Sequence, residues 1–165
     1  MRDEADIRIA MEQYADMIKR ICLCHLKNAT DTEDVFQNVF MKYMLYEGIF
    51  ENKEHEKAWF IRVAINACKD HLKILFRHPT VPLDTLLREE HMEMEDGQKN
   101  VLQEVLALPN KYKDVIYLFY YEEYSAKEIG EILQKNENTI YSLLSRGRSM
   151  LRDKLGGDDF AESNT

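Results

Sequence analysis

The stretch from Ser125 to Arg152, SAKEIGEILQKNENTIYSLLSRGRSMLR, decides the fold. Its apolar residues recur at helical spacing on both sides of a short polar break, which predicts two short helices around a tight turn. Ser125 followed by Glu128 is a capping box that starts the first helix. Ile129 and Leu133 give that helix an apolar side, and Gly130 is expected to let the second helix approach closely. If the second helix starts near Glu137, a turn of about 100° per residue gathers Ile140, Leu143, Leu144, Gly147, Met150 and Leu151 on one side. Tyr141, Ser142, Ser145, Arg148, Ser149 and Arg152 fall on the other, with Arg146 at the border. Most amphipathic helices simply show such a face to water. Here the capping box, the glycine and the clustered arginines together argue for a helix that enters the DNA major groove. Arginine pairs with guanine edges or phosphates, and serine serves either role.

Composition narrows the function. Hydrophobic residues make up 45% of the 165-residue chain, with six glycines and three prolines, so a folded, helix-rich protein of one domain or two small ones is expected. No apolar run is long enough to span a bilayer, and the amino terminus MRDEADIRIAMEQ lacks the apolar core of a signal peptide. The expectation is a cytoplasmic protein without membrane insertion. Three cysteines, an odd number, argue against a disulfide framework. Cys22, Cys24 and His25 cluster, but Cys68 stands alone and supplies no second ligand pair, so buried thiols rather than a metal site are expected. There is no glycine-rich phosphate loop, nucleophile elbow or convincing catalytic His, Asp and Ser set, which points away from an enzyme and from a cofactor.

A net charge of −8 runs against DNA binding until its distribution is considered. From Thr139 to Lys154 there are four cations, Arg146, Arg148, Arg152 and Lys154, against Asp153. From Glu56 to Arg77 there are five, Lys57, Arg62, Lys69, Lys73 and Arg77, against Glu56 and Asp70. Between these basic stretches, Asp84 to Asp96 holds six acids against Arg88. The segment Arg77 to Asn100 also contains two of the three prolines and interrupts helical periodicity, so it reads as an acidic linker. Leu86 and Leu87 fit a short helical turn or an anchor within it. The chain then divides into an amino-terminal helical domain, 1–76, the linker, 77–100, a carboxy-terminal helical domain, 101–155, and a frayed tail, 156–165.

Two helices of the first domain carry unusual faces. In DVFQNVFMKYM, Asp34 to Met44, the wheel puts Val35, Phe36, Val39, Phe40 and Tyr43 toward the core. Asp34, Gln37, Asn38 and Met41 share the opposite side, where a methionine beside uncharged amides suggests a surface meant to be covered. In AWFIRVAINACKDHLK, Ala58 to Lys73, the predicted core is Phe60, Ile61, Ala64, Ile65, Cys68 and Leu72. Trp59, Arg62, Val63, Asn66, Lys69, Asp70 and Lys73 line the other face. A lone tryptophan is more often core. Sharing a stripe with three basic side chains and an amide, it offers single-stranded nucleic acid both phosphate neutralisation and a flat surface for bases.

The order of these parts resembles the extracytoplasmic-function group of the bacterial sigma-70 family. EDVFQNVF is similar to the family's acidic-x-x-Gln-x-x-Phe helix, and WFIRVAINACKDHLK to its Trp-x-x-Arg-x-Ala-x-Asn-x-x-x-Asp-x-x-Arg segment. LALPNKYKDVIYLFYYEEYSAKEIGEIL and TIYSLLSRGRSMLRDKL resemble its carboxy-terminal region, including the Leu-Pro and the Ser-Arg-x-Arg. The resemblance covers residues 14–76 and 101–155, four motifs in the family's order. It implies an all-α promoter-recognition subunit with no catalytic activity, built of a region 2-like bundle and a region 4-like helix-turn-helix.

By position, the resemblance places Asp34, Gln37, Asn38 and Met41 against the beta-prime clamp helices of core RNA polymerase, whose beta flap is a further partner. It implies that Trp59, Arg62, Asn66, Lys69 and Lys73, with Phe50, Asn52 and Lys53 in the loop from Phe50 to His55, bind the melted minus-ten element of promoter DNA and hold a flipped-out base. Extruding a base costs a few kcal/mol, which stacking of about 1–3 kcal/mol per base can offset. It assigns Tyr141, Ser142, Ser145, Arg146, Arg148 and Ser149 to the minus-thirty-five element. The acidic linker would thread toward the RNA exit path, and an anti-sigma factor is the partner such proteins commonly have.

Some positions depart from the pattern. Gln134 and Lys135 stand where the family's turn usually carries glycine and an apolar residue, which predicts a strained or differently shaped turn. Tyr141 replaces a commonly basic residue, and Phe36 a smaller or aliphatic one. The competing reading is a free-standing helix-turn-helix regulator that binds duplex DNA as a dimer without joining polymerase. It accounts for the carboxy-terminal half but not for the Trp59 stripe or the Met41 face.

Overall fold

Short polar side chains fix where the helices begin. In the computed structural model, which describes residues 1–77, 101 and 103–155, helix α1 (Glu4–Leu26) starts where the Asp3 carboxylate accepts the Asp6 N–H at 2.8 Å. Helix α2 (Ala29–Leu45) starts at Asn28, which accepts from Asp31 N–H at 3.0 Å. Helix α3 (Lys53–Arg77) starts at Asn52, which accepts from His55 N–H at 2.8 Å. Each such cap satisfies a donor that the first helical turn leaves over, worth about 1 kcal/mol. Helix α4 (Asn110–Tyr120) instead follows Pro109, whose carbonyl accepts from Tyr112 and Lys113 at 3.0 Å. Helix α5 (Ala126–Leu133) carries the expected capping box, with Ser125 N–H donating to Glu128 at 3.0 Å and Glu128 N–H to Ser125 Oγ at 3.2 Å. Helix α6 (Glu137–Leu155) starts at Asn136, which accepts from Thr139 N–H at 2.9 Å.

The fold is all-α. The chain forms two units, Met1–His91 and Met92–Thr165. In the first, α1, α2 and α3 each pack against the other two. Its centre is Phe60, with Tyr43 at 4.7 Å between ring centroids, Tyr14 at 5.0 Å and Phe40 at 5.4 Å. Such ring pairs contribute about 0.5–1.5 kcal/mol each beyond the area they bury. Val35, Phe36, Val39, Phe40 and Tyr43 are all buried, as are Phe60, Ile61, Ala64, Ile65 and Cys68. Leu72 departs from expectation and is half-buried. Beside it, His71 Nε2 lies 3.2 Å from Asp31 Oδ1, so polar contacts take over from apolar ones at that level of α3. Cys22, Cys24 and Cys68 are free and buried.

In the second unit α4 and α5 pack on α6. Ile140, Leu143, Leu144, Gly147 and Leu151 are buried, whereas Met150, also expected in the core, is half-buried. Gly147 is where α4 crosses closely, since a Cβ there would lie 3.1 Å from Ile116 Cγ1. Gly130 faces both the turn and the start of α6, since a Cβ there would lie 3.7 Å from Glu137 N, but the closest approach is that of the turn. A Cβ at 130 would stand 2.6 Å from the Lys135 carbonyl oxygen. Gln134 adopts the left-handed conformation, φ 58° and ψ 47°, that a glycine would supply there, so the turn keeps a standard shape at the expense of local strain. The acidic linker with Leu86 and Leu87, and the tail, lie outside the described residues. Among the described residues, no helix is long and apolar enough to cross a membrane.

Candidate nucleic-acid interface

Three surfaces gather the residues singled out by sequence. On α2, burial of Val35, Phe36, Val39, Phe40 and Tyr43 forces Asp34, Gln37, Asn38 and Met41 outward, and all four are exposed. Met41 keeps 54% of its surface in water. Leu45, one turn further along, extends this stripe and is 61% exposed. Sequence reasoning passed over Leu45, although its spacing of four from Met41 was the signal for it.

The second surface is the connection from α2 to α3, residues 46–52. Tyr46 stacks on Phe50 with centroids 5.3 Å apart, and Trp59 lies 5.0 Å from Tyr46 and 5.8 Å from Phe50. Tyr43 backs this group, 6.3 Å from Phe50. Its hydroxyl donates to Glu56 at 3.1 Å. Burial and the neighbouring Glu56 carboxylate push its pKa up to about 12, against a weaker opposing pull from Arg2. Trp59 is therefore a half-buried wall of an aromatic cluster rather than a free platform.

A hollow of about 400 Å³ opens beside the cluster, lined by Arg2, Gly48, Ile49, Phe50, Asn52, Lys53 and Glu56. Phe50, Asn52 and Lys53 thus meet at one place. Asn52 uses its side chain to cap α3, and Lys53 is drawn between Gln13 at 3.2 Å and Glu56 at 3.9 Å. Arg62, Asn66, Lys69 and Lys73 continue along successive turns of α3, with Asn66 and Lys73 exposed and Arg62 and Lys69 half-buried. Arg2, which sequence reading did not assign to any site, lies at the centre of this surface.

The third surface is the outer side of α6. Tyr141, Ser142, Ser145, Arg146 and Ser149 are exposed, Tyr141 by 53%. Arg148 differs from its neighbours: it is half-buried, its guanidinium carbon lies 5.8 Å from the Phe119 ring centre, and its Nε has no hydrogen-bond partner. Burial raises the pKa of the adjacent Tyr120, while Arg148 and Arg152 pull it back. Among the described residues there is no group of three or more His, Cys, Asp or Glu placed to hold a metal ion.

A capped helix-turn-helix with a polar, arginine-bearing outer face, together with a separate aromatic and basic loop site, defines a helical DNA-binding protein of the transcription apparatus. Family comparison sharpens this. Residues 10–74 match the Sigma-70 region 2 family, and residues 98–151 match the Sigma-70, region 4 family. The chain is 28% identical over 158 residues to the ECF RNA polymerase sigma factor SigW of Bacillus subtilis, covering 86% of this chain and 84% of that one. It is 29% identical over 148 residues to the RNA polymerase sigma factor SigV of the same organism, covering 86% of each. Among solved structures, the sigma factor RpoE in complex with the anti-sigma factor NepR from Bartonella quintana has the same fold, with a TM-score of 0.75 and 18% identity over 93% of this chain and 98% of that one. The chain belongs to the sigma-70 family, in its extracytoplasmic-function group, and is an RNA polymerase sigma factor that directs promoter recognition. Because both regions match in order, the free-standing regulator is not favoured.

Proposed function

We propose that residues 1–76 bind core RNA polymerase and the melted minus-ten element, that residues 101–155 read the minus-thirty-five element as duplex, and that 77–100 connect them. The observation carrying this reading is the solvent-exposed stripe of Asp34, Gln37, Asn38, Met41 and Leu45, which sets two large apolar side chains in water beside two uncharged amides on a helix whose opposite face is buried. A DNA reader needs no such stripe, whereas docking on a protein does. Its partner is the beta-prime clamp helices of the polymerase, with the beta flap as the site for the carboxy-terminal domain.

On α3 and the preceding loop, Trp59 and Phe50 supply flat apolar surface, and Asn52 and Asn66 supply amides that can meet base edges. Lys53, Arg62, Lys69 and Lys73 neutralise the phosphates of a single strand. On α6, Tyr141, Ser142, Ser145, Arg146 and Ser149 face the major groove, and Arg148, held over Phe119, meets a phosphate. The protein performs no chemistry of its own and works in the cytoplasm. An anti-sigma factor, as NepR is in the complex with RpoE, is the expected regulator.

Run-off transcription with core RNA polymerase, a genomic-fragment library and the full chain tests the assignment. Specific new transcripts that require the protein are expected, and their start sites define both promoter elements. A stable footprint on duplex DNA with paired half-sites, formed without polymerase, would overturn it.

A further inference from the structure

Arg2 joins the amino terminus to the loop that holds Phe50. Its backbone N–H donates to the Met44 carbonyl at 3.0 Å, at the end of α2. Its Nη2 donates to the Gly48 carbonyl at 2.9 Å, in the middle of the loop. Its guanidinium carbon lies 4.6 Å from the centre of the Tyr43 ring, 4.8 Å from Phe50 and 5.9 Å from Tyr46. One side chain therefore holds the backbone of the loop and three of the rings that shape it. A planar cation is suited to this, because it bonds in its plane while its face lies on an aromatic ring. Other contacts also hold the loop, since Glu51 N–H donates to His55 Nδ1 at 3.2 Å and Tyr46 and Phe50 pack on Trp59. Among the described residues, however, Arg2 is the one side chain that bonds its middle, where Ile49 is 88% exposed.

Arg2 also lines two neighbouring hollows, together with Gly48 and Ile49. One is lined by Phe50, Asn52, Lys53 and Glu56, the other by Asp3, Asp6, Tyr46 and Glu47, and Arg2 borders both. The second is acidic and repels a phosphodiester strand, leaving the first as the side where a base can enter. The Nε of Arg2 is buried without a hydrogen-bond partner.

We propose that Arg2 is a positioning residue for minus-ten recognition: it holds residues 46–52 closed, fixes the Phe50 ring, and so sets which unpaired base the hollow accepts. This rests on the assignment of that loop to the melted minus-ten strand. Arg2 acts through Phe50 and the loop backbone and is no substitute for them.

The test uses the full chain with core polymerase on promoters carrying each base at the unpaired minus-ten positions, comparing Arg2→Ala, Arg2→Lys and Phe50→Ala with the parent. Discrimination between the preferred base and the others should fall about five- to tenfold in Arg2→Ala, between the scale of an exposed cation–π contact and that of a desolvated one, as suits a half-buried guanidinium. Arg2→Lys, which keeps the charge but loses the planar fork, should recover little of it. Binding to core polymerase, through the α2 face, should stay unchanged in all three, which shows that the variants are folded. A merely structural Arg2 would lower thermal stability and leave the ratio between bases where it was. That result, with Phe50→Ala losing discrimination, overturns the role of Arg2 while keeping the loop assignment. Improved open-complex formation in Arg2→Ala would also overturn it, by showing that Arg2 blocks the site. Unchanged discrimination in Phe50→Ala as well would remove the loop assignment and this proposal with it.

Discussion

Gly130→Ala should destabilise the second unit, although alanine is the better helix former by about 1 kcal/mol. The reason is space. The new Cβ would stand 2.6 Å from the Lys135 carbonyl oxygen, where real Cβ contacts do not fall below 3.0 Å. That oxygen is backbone, fixed within a turn in which Lys135 N–H donates to the Gly130 carbonyl at 2.9 Å. Relief requires the start of α6 to move or this hydrogen bond to break. Overpacking that shifts backbone costs about 1–3 kcal/mol, and loss of the bond about 0.5–1.5 kcal/mol. Where the backbone shifts and the bond is lost together, these costs outweigh the propensity gain by about 0.5–3.5 kcal/mol. Gln134→Gly, four residues on, should act in the opposite direction. The left-handed backbone at φ 58° costs a side-chain-bearing residue about 1–2 kcal/mol. Glycine's greater freedom in the unfolded chain takes back about 0.5–1 kcal/mol, leaving a gain of a few tenths to about 1 kcal/mol. Urea unfolding followed by far-UV circular dichroism measures both, and the fluorescence of Trp59, the chain's one tryptophan, reports the first unit alongside. A neutral or stabilising Gly130→Ala, or a destabilising Gln134→Gly, would refute the reading of the turn.

Three other outcomes follow from the same geometry. Gln37→Glu combined with Met41→Glu should abolish association with core polymerase in pull-down while the circular dichroism spectrum stays the same, because both side chains are exposed; retained association would remove the α2 face from the interface. Arg146→Ala should cost about 1–3 kcal/mol on the preferred minus-thirty-five sequence and relax preference at one position, as loss of a guanine contact does. Arg148→Ala should instead weaken all sequences alike and lower the salt slope by about 0.9, since its guanidinium is tied to Phe119; the reverse pattern would exchange their roles. The first unit should lose stability in alkali: Tyr43 ionises at its ordinary value of 10.0 when unfolded but only near about 12 when folded. Its contribution is therefore complete below pH 10 and declines as pH rises toward 12. Tyr43→Phe should remove that part of the decline in alkaline denaturation followed by circular dichroism, and leave the part due to Tyr14, whose pKa burial and Glu56 also push up.

How far the chain could be read ahead of its structure depended on the range of each interaction. The faces of α2 came out residue by residue, five inward and four outward, because the large apolar residues Val35, Phe36, Val39, Phe40 and Tyr43 recur at helical spacing and fix the period for the others. The same reasoning failed at Leu72 and Met150, where the period is right but the neighbouring packing no longer encloses the position. Gly130 was visible as a glycine, but the atom that demands it lies across the turn. Gln134 drew notice as an unexpected residue, and only the backbone shows that it adopts the left-handed conformation without altering the turn. Trp59 and Phe50 were legible as a site, but their packing against each other was not, since that depends on how α2 and the loop meet α3. Arg2 carried no sequence signal at all. Its partners lie more than forty residues away, and no periodicity spans such a distance.

The negative charge of the chain fits the way these surfaces share the work. The outer face of α6 presents few cations, and each phosphate neutralised on duplex DNA contributes only one step of counterion release. Alone, such a face binds weakly and loses that little affinity as salt rises. On the proposed reading, the hollow beside Phe50 takes a strand only once the duplex is open. When both surfaces are carried by one chain and held on a common scaffold, the second contact becomes intramolecular, and its effective concentration replaces the affinity that neither surface has by itself. Strong positive charge would serve such a protein poorly, because it would fix the chain on random duplex before the scaffold is engaged. A net charge of −8 with two local basic stretches keeps nonspecific binding low and leaves selectivity to the joint fit of both readers. On this account, the isolated chain should bind duplex DNA weakly and with a shallow salt slope, about 0.9 for each phosphate that the few cations of α6 neutralise, and a steep slope in a salt titration would count against this division of work.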